Sequence, residues 1–365
     1  MQPGVSVPTG PLRQANRLIP DTRPRRTRVW RLGLLAVGAL LVLLLLRAVG
    51  WRAIAENLMR IGAGHFVFLV LLYTLSQAAF ALGWALLVDP PLPAARFPKL
   101  FLLYLAGDAA NSLAPGGVAG EPIKTRLLGK TTGMGEALAS LTLHKHADML
   151  AQWLFVAAGV GYAIARFPMP LAARVAATAG AAGLGVLLLV LTWALRRGTY
   201  GPVLRRLARW KLLARRLDRY QRSAESVDER IRAFAGKGRK RYAAAVAVCF
   251  LGWCGGMVET YLILSWILPS AGWGTALAVE SLAMALNNML LFIPGRLGSA
   301  EGVRAAVFVA IGLPAAPGVA YALVRRGREL AWTVPGLFVL LREHALGWTS
   351  ERSPQPPNLP ERARP

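Results

Sequence analysis

Long apolar runs recur along the chain, separated by shorter polar segments. Each run approaches the length of about 20 residues that an α-helix needs to cross the hydrocarbon core of a bilayer. Because lipid offers no water to bond backbone N–H and C=O groups, these runs are predicted to be helices. There are six of them: Val29–Leu46, Phe66–Val88, Asp148–Ile164, Leu171–Leu195, Ala243–Ile267 and Ala315–Leu341.

Two further apolar segments, 100–143 and 276–312, are each interrupted by a Pro-Gly pair. Leu100–Leu113 has only 14 residues before the first break, too few to cross the membrane. We therefore predict two broken, re-entrant segments, the first entered from the cytoplasm and the second from outside. The polar and helix-breaking residues at the breaks are Asn111, Pro115, Gly116 and Gly117 in the first, and Asn287, Pro294 and Gly295 in the second.

Similar charged residues come after each of the two breaks. Glu121 follows Pro115 by six residues, and Glu301 follows Pro294 by seven. A basic residue comes 24 positions after each glutamate, followed shortly by an acid: Lys145 with Asp148, and Arg325 with Glu329. Related halves of opposite orientation, each with an interrupted helix, are typical of transporters with a site near the bilayer midplane. The alternative is that each Pro-Gly pair is only a structural kink.

The composition supports this fold class. Hydrophobic residues make up 55% of the 365 residues, and the mean hydropathy is +0.43. We predict an all-α polytopic membrane protein with about six full transmembrane helices and two broken segments in an inverted-repeat-like arrangement. Its parts are a basic cytoplasmic tail (1–28), a first membrane half (29–195), a basic cytoplasmic loop (196–241), a second membrane half (242–341) and a disordered cytoplasmic tail (342–365).

The formal net charge of +25 indicates membrane orientation rather than nucleic-acid binding. The tail 1–28 carries six arginines against one acid, and the loop 196–241 carries 16 Lys and Arg against four acids. Excess Lys and Arg mark cytoplasmic segments. We expect a multi-pass protein of the inner or plasma membrane with both termini in the cytoplasm.

The basic loop contains a stretch, Val203–Leu217, in which apolar residues recur at helical spacing opposite arginines. A helix of this kind suits the anionic inner leaflet, so membrane lipids are the expected partners of the 203–241 loop. A solvated linker helix is the alternative.

Ionisable residues inside a membrane are costly and are functional by default. Internal salt bridging, for instance Glu121 with Lys145 or Glu301 with Arg325, is the competing interpretation. Asp108, Glu259 and Glu280 are second choices because the boundaries of their segments are uncertain by several residues. The first choices are Glu121, Lys145, Asp148, Glu301, Arg325, Arg326, Arg328 and Glu329.

No metal or cofactor is expected. His144 and His146 form an H-x-H pair, but no further His or Cys cluster accompanies it, and a proton role is the better hypothesis. Cys249 and Cys254 fall in one apolar helix and are interpreted as small apolar fillers.

Several stretches of the sequence resemble the flippase-like membrane domain of the lysylphosphatidylglycerol synthase family, and the resemblance covers most of Arg31–Leu341. These stretches are the two broken segments together with L-H-K-H-A-D-M-L and the late L-V-R-R-G-R-E-L. The resemblance implies translocation of lipids or lipid-linked head groups between leaflets. After Leu341 only 24 residues remain, so the soluble lysyltransferase domain is not expected. G-D-A-A-N-S-L-A-P and A-D-M-L-A-Q-W also resemble the hopanoid-associated branch. The family pattern falls on Asn111, Pro115, Gly116, Gly120, Glu121 and Arg126, and on Pro294, Gly295, Gly298, Glu301 and Gly302.

The function predicted is translocation of a phospholipid, glycolipid or terpenoid lipid, without enzymatic activity. A membrane enzyme acting on a lipid phosphate or polyprenyl substrate is one alternative, although the sequence has no Asp-rich motif, G-x-S-x-G or P-loop. A divalent-cation requirement would favour it. The other alternative is a scaffold that recruits lipid-biosynthesis proteins through the basic loop. Such a scaffold would lose all function if Val203–Arg241 were deleted.

Overall fold

The computed structural model describes residues 51–113, 119–198, 225, 227–234, 238–289 and 299–342. Over these residues the chain is helical apart from its connections, and none of them forms a strand. The prediction of an all-α polytopic membrane protein is confirmed. The predicted helices Val29–Leu46 and Val203–Leu217, and the tail 1–28, lie outside the described residues.

Nine α-helices and one short 3₁₀ helix make up the main elements of the described chain. They are α1 (Trp51–Ala85), the 3₁₀ helix Ala94–Arg96, α2 (Phe97–Leu113), α3 (Gly120–Thr132), α4 (Met134–Arg166), α5 (Leu171–Arg197), α6 (Arg239–Ile267), α7 (Trp273–Met289), α8 (Ser299–Ala310) and α9 (Ala315–Leu341).

Four of the described helices are long and apolar enough to cross a membrane: Met59–Ala85 within α1, then α4, α5 and α6. They correspond to four of the six apolar runs. The sequence also predicts that α9 spans, but this helix carries three arginines and a glutamate in its middle, at 325–329, and is not among the four.

Two helix boundaries differ from those expected. Gly62 adopts φ 65° and ψ 166°, which kinks α1 near the start of its membrane span Met59–Ala85. Gly133, at φ 88°, ends α3, and α4 begins directly after it. The run Asp148–Ile164 is therefore only the second half of α4, and the sequence H-K-H-A-D lies inside the helix.

The two halves of the chain pack into each other. α1 lies along α6, α9 packs against α2, and α4 contacts both α6 and α7. Close approach of α9 to α2 depends on Gly336, where an added Cβ would come 2.4 Å from the Leu105 carbonyl oxygen. As a result, charged residues from distant parts of the sequence meet inside the bundle.

The end of the basic loop is docked on the bundle. Val227, Ile231 and Phe234 are buried in one cluster with residues of α4 and α6. Arg230 lies 3.3 Å from the buried Glu136 carboxylate of α4.

Candidate functional site

Four charged side chains form a buried network between α6, α7 and α9. Arg325 donates from Nη1 to Glu259 Oε2 at 3.1 Å and from Nη2 to Glu280 Oε1 at 2.8 Å. Arg328 Nε donates to Glu259 Oε1 at 2.9 Å. Arg325 is 8% exposed, and the other three are each 2% exposed. We call these four residues the central network; its two positive and two negative charges cancel.

Hydroxyl groups complete the central network. Tyr321 donates its hydroxyl to Glu280 Oε2 at 2.8 Å, and Thr260 Oγ1 lies 2.8 Å from the same oxygen. A buried ion pair offsets the cost of leaving water only when such bonds satisfy its remaining lone pairs. Arg325 Nε, however, is buried without a hydrogen-bond partner among the described residues. Unpaired buried donors are rare, so this one is a candidate contact for water or a ligand.

A second group of charges lies beside the central network, between α8 and α9. Arg326 Nη1 donates to Glu329 Oε2 at 3.1 Å, and its Nε lies 3.6 Å from Glu301 Oε1. Arg304 Nη2 is 3.7 Å from Glu329 Oε1. The partner expected for Glu301 was Arg325, but Arg325 turns to α6 and α7 instead. Adjacent helical residues point about 100° apart, which separates the roles of Arg325 and Arg326.

The first half of the chain contributes a more accessible cluster at the start of α3. Glu121 Oε1 lies 3.3 Å from Lys145 Nζ of α4, so the salt bridge named under the competing interpretation is present. Asn111, near the end of α2, donates from Nδ2 to Glu121 Oε1 at 3.4 Å and accepts the Gly120 N–H at 2.6 Å. The Lys145 side chain is 48% exposed and that of Glu121 24%. We call Asn111, Glu121 and Lys145 the accessible cluster.

Two glycines bring α2 and α3 close enough to build the accessible cluster. A Cβ on Gly120 would come 2.1 Å from the Gly107 carbonyl oxygen, and one on Gly107 would come 2.4 Å from Lys124 carbons. Lys124 is 4% exposed, with its ammonium 4.1 Å from the centre of the Tyr104 ring.

The structure separates two cations that the sequence places close together. Lys124, absent from the predicted site, is buried near the accessible cluster, whereas Arg126 is exposed on α3. Helical spacing in the sequence could have distinguished the two cations. Lys124 is three residues from Glu121 and shares its helix face, while Arg126 is five residues away.

Two further acids of the first half accept hydrogen bonds from neighbouring helices. Asp148 of α4 accepts the indole N–H of Trp253 on α6 at 3.2 Å. Asp108 of α2 accepts a hydrogen bond from Gln77 Nε2 of α1 at 3.0 Å. The predicted residue Asp148 therefore lies at the contact between α4 and α6.

Tyr73 of α1 packs against the central network. The guanidinium carbon of Arg328 lies 3.5 Å from the centre of its ring. The same tyrosine interacts electrostatically with Asp108 as well as with Glu259. Tyr73 therefore connects α1 to the central network.

The other predicted residues take no described part in these contacts. Asn287 is half-buried near the end of α7. His144 is buried with its ring near those of Trp84 and Tyr104, and His146 bonds to Tyr242 and Thr192. Within the described ranges, no group of three or more His, Cys, Asp or Glu side chains could hold a metal ion. Pro115, Gly116, Gly117, Pro294, Gly295 and Gly298 lie outside the described residues.

Comparison with known proteins gives a family match over most of the chain. The family model described as the lysylphosphatidylglycerol synthase TM region matches residues 30–336. The UPF0104 membrane protein PH1989 of Pyrococcus horikoshii is 24% identical over 316 residues, which cover 80% of this chain and 91% of that protein. No solved structure matches.

Proposed function

Since the chain belongs to the family of the lysylphosphatidylglycerol synthase transmembrane region, we propose that it is a lipid translocase, moving a phospholipid, glycolipid or terpenoid lipid between leaflets. It changes the position of the lipid and leaves its covalent structure intact. We place it in the inner or plasma membrane, with both termini in the cytoplasm and the two broken segments entering from opposite sides.

One observation carries this proposal: each half of the chain places charged side chains inside a bundle of membrane-spanning helices. Lys145 and Asp148 lie in the span formed by α4, and Glu259 lies in the span formed by α6. A charged residue at the centre of a membrane helix costs about 2.5–3.5 kcal/mol, and such residues mark ion or substrate pathways. A polar head group crossing hydrocarbon needs polar partners of this kind.

The two charged regions suggest different roles in transport. The accessible cluster presents Glu121 and Lys145 side by side and partly exposed, so the cationic and anionic parts of a head group can exchange with this weakly held pair. The central network is buried and neutral. A head group passes it only when an ion pair parts and its members bond the head group instead, with Arg325 Nε as the donor already free for this.

The test is lipid exchange in liposomes containing the purified full chain, fluorescent phospholipids and a dithionite quench. Wild type is compared with Glu121→Gln and with Glu56→Gln, which makes the same change at an exposed residue of α1. We expect accelerated exchange in wild type and in Glu56→Gln, and a loss of about tenfold in Glu121→Gln, which corresponds to a barrier higher by about 1.4 kcal/mol.

Two results would overturn the proposal. One is well-folded wild type that exchanges fluorescent and native-extract lipids no faster than protein-free liposomes. The other is a chemically altered lipid, detected by mass spectrometry after incubation with divalent cations, which would indicate an enzyme.

A further inference from the structure

A cavity of about 400 Å³ lies between α1 and α6. Its apolar walls include Leu72, Leu75 and Ala79 of α1, and Leu251 and Val258 of α6. Both sets lie well inside the membrane-spanning parts of their helices, Met59–Ala85 and Arg239–Ile267. The volume is within the range of about 300–1,000 Å³ that small-molecule sites occupy.

Among the described residues, the mouth of this cavity is open at the apolar surface of two membrane-spanning helices. Leu75 is 68% exposed and Leu251 is 64% exposed, although both lie on membrane-spanning helices and line the cavity. At this position along the helices the surrounding phase is hydrocarbon rather than water. Whatever enters the cavity from the side therefore arrives from among the acyl chains of the bilayer.

The one charged residue among the described residues of the cavity wall is already paired within the protein. Glu259 reaches the cavity, but its two carboxylate oxygens accept from Arg328 at 2.9 Å and from Arg325 at 3.1 Å. Tyr73 also lines the cavity, and one face of its ring is covered by Arg328. Because both oxygens of Glu259 are already paired, this carboxylate offers a head group little in exchange for its hydration, whereas the apolar walls offer a hydrocarbon chain good packing.

We propose that this groove binds one hydrocarbon chain of a membrane phospholipid. From Leu72 to Ala79 the groove runs along α1 for about 10 Å, at about 1.5 Å per residue, which is roughly a third of the hydrocarbon core. One leaflet is half of this core, so the groove covers about two-thirds of the depth that one chain occupies. This inference rests on the proposed function: the chain stays beside the central network while the head group crosses.

The experiment uses a phosphatidylcholine with a photoactivatable diazirine at mid-chain, in liposomes containing the full-length protein. Labelled peptides are mapped by mass spectrometry. We expect peptides with Leu72–Ala79 and Leu251–Glu259 to be labelled about tenfold more than the α5 peptide with Leu187–Val190, which has exposed apolar residues but lines no described cavity. Equal labelling of the three would overturn the inference.

A head-group diazirine on the same lipid is the matched probe. It should label the groove peptides less than the mid-chain probe does; stronger labelling would overturn the inference in favour of a head-group path. Ala79→Trp fills the groove and should remove the enrichment, while Ala182→Trp, on an exposed position of α5, should retain it. If Ala79→Trp fails to fold, the peptide-labelling map of the wild-type protein still tests the inference.

The failure of this inference and that of the proposed function are distinguishable. Enriched groove labelling that Ala79→Trp removes, in a protein that exchanges no lipid, supports the chain site and contradicts the translocase. Exchange at the wild-type rate in Ala79→Trp, with uniform labelling in wild type, contradicts the chain site and leaves the translocase supported.

Discussion

Arg328 of α9 lies over Tyr73 of α1, with the guanidinium carbon 3.5 Å from the centre of the ring. The arginine is 2% exposed and donates its Nε to Glu259. One cation is therefore held by a carboxylate at its edge and an aromatic ring at its face. This contact joins the first half of the chain to the central network.

The ring of Tyr73, rather than its hydroxyl, should carry this contact. A desolvated cation–π contact is worth up to about 2 kcal/mol. We expect Tyr73→Leu to lower the free energy of unfolding by about 2 kcal/mol, through the lost ring contact and some lost packing, and Tyr73→Phe to change it by less than about 1 kcal/mol. Reversible unfolding of the purified protein in mixed micelles measures both. Equal losses in the two variants would assign the effect to the hydroxyl.

Charge balance should govern the stability of the central network. Glu259→Gln leaves two buried arginines facing one carboxylate, and breaking a buried pair in this way costs about 3–5 kcal/mol. The double variant Glu259→Gln with Arg328→Gln restores neutrality, because the Arg325–Glu280 pair remains. We expect it to be more stable than Glu259→Gln alone in the same unfolding measurement. A double variant that is less stable by the sum of both single losses would show that the residues act independently.

The approach of α2 to α3 should tolerate no side chain at Gly120. An added Cβ would lie 2.1 Å from the Gly107 carbonyl oxygen, so Gly120→Ala must move one helix and should cost about 1–3 kcal/mol. Gly161→Ala is the control: nothing lies within 4 Å of its Cβ position, and alanine favours the helix by up to about 1 kcal/mol. Thermal unfolding of both variants should therefore shift in opposite directions. A Gly120→Ala protein as stable as wild type would mean that the helices are less closely packed than described.

Lys124 and Arg126 should contribute unequally to lipid exchange. Lys124 is buried against Tyr104 and interacts electrostatically with Asp108 and Glu121, whereas Arg126 is exposed. We expect Lys124→Met to slow exchange by about tenfold and Arg126→Met to change it by less than about twofold. The liposome assay with both variants gives the comparison. The reverse order would place the head group on the exposed face of α3.

The membrane-spanning helices of the bundle could be predicted from the length of the apolar runs, but the ends of these helices could not always be predicted. Leu171–Leu195 appears as α5 with two added arginines, and Ala243–Ile267 as most of α6. Asp148–Ile164 did not mark the start of α4, because the polar residues before it belong to the same helix. The hydropathy of a segment reports its contact with lipid, whereas the helix itself continues until a helix-breaking residue ends it.

The candidate site was predicted only in part, because charge partners are set by tertiary contacts. The spacing of Glu121 and Lys145 within one half allowed their pairing to be proposed, and the structure places them 3.3 Å apart. Glu259 and Glu280 were only second choices. Nothing in the sequence indicates that α6 and α7 meet Arg325 of α9. Glu301 lies near Arg326 rather than near Arg325, the partner named for it from the sequence. These two arginines are adjacent in α9 and point about 100° apart around the helix.

The neutrality of the central network has an electrical consequence. With Glu259, Glu280, Arg325 and Arg328 paired, a transmembrane voltage exerts no net force on the assembly as a whole. Moving one elementary charge through the full field changes the energy by about 2.3 kcal/mol per 100 mV. Voltage therefore acts on this network only in states in which an ion pair has parted. A dependence of lipid exchange on an imposed potential would report how far those charges separate during transport.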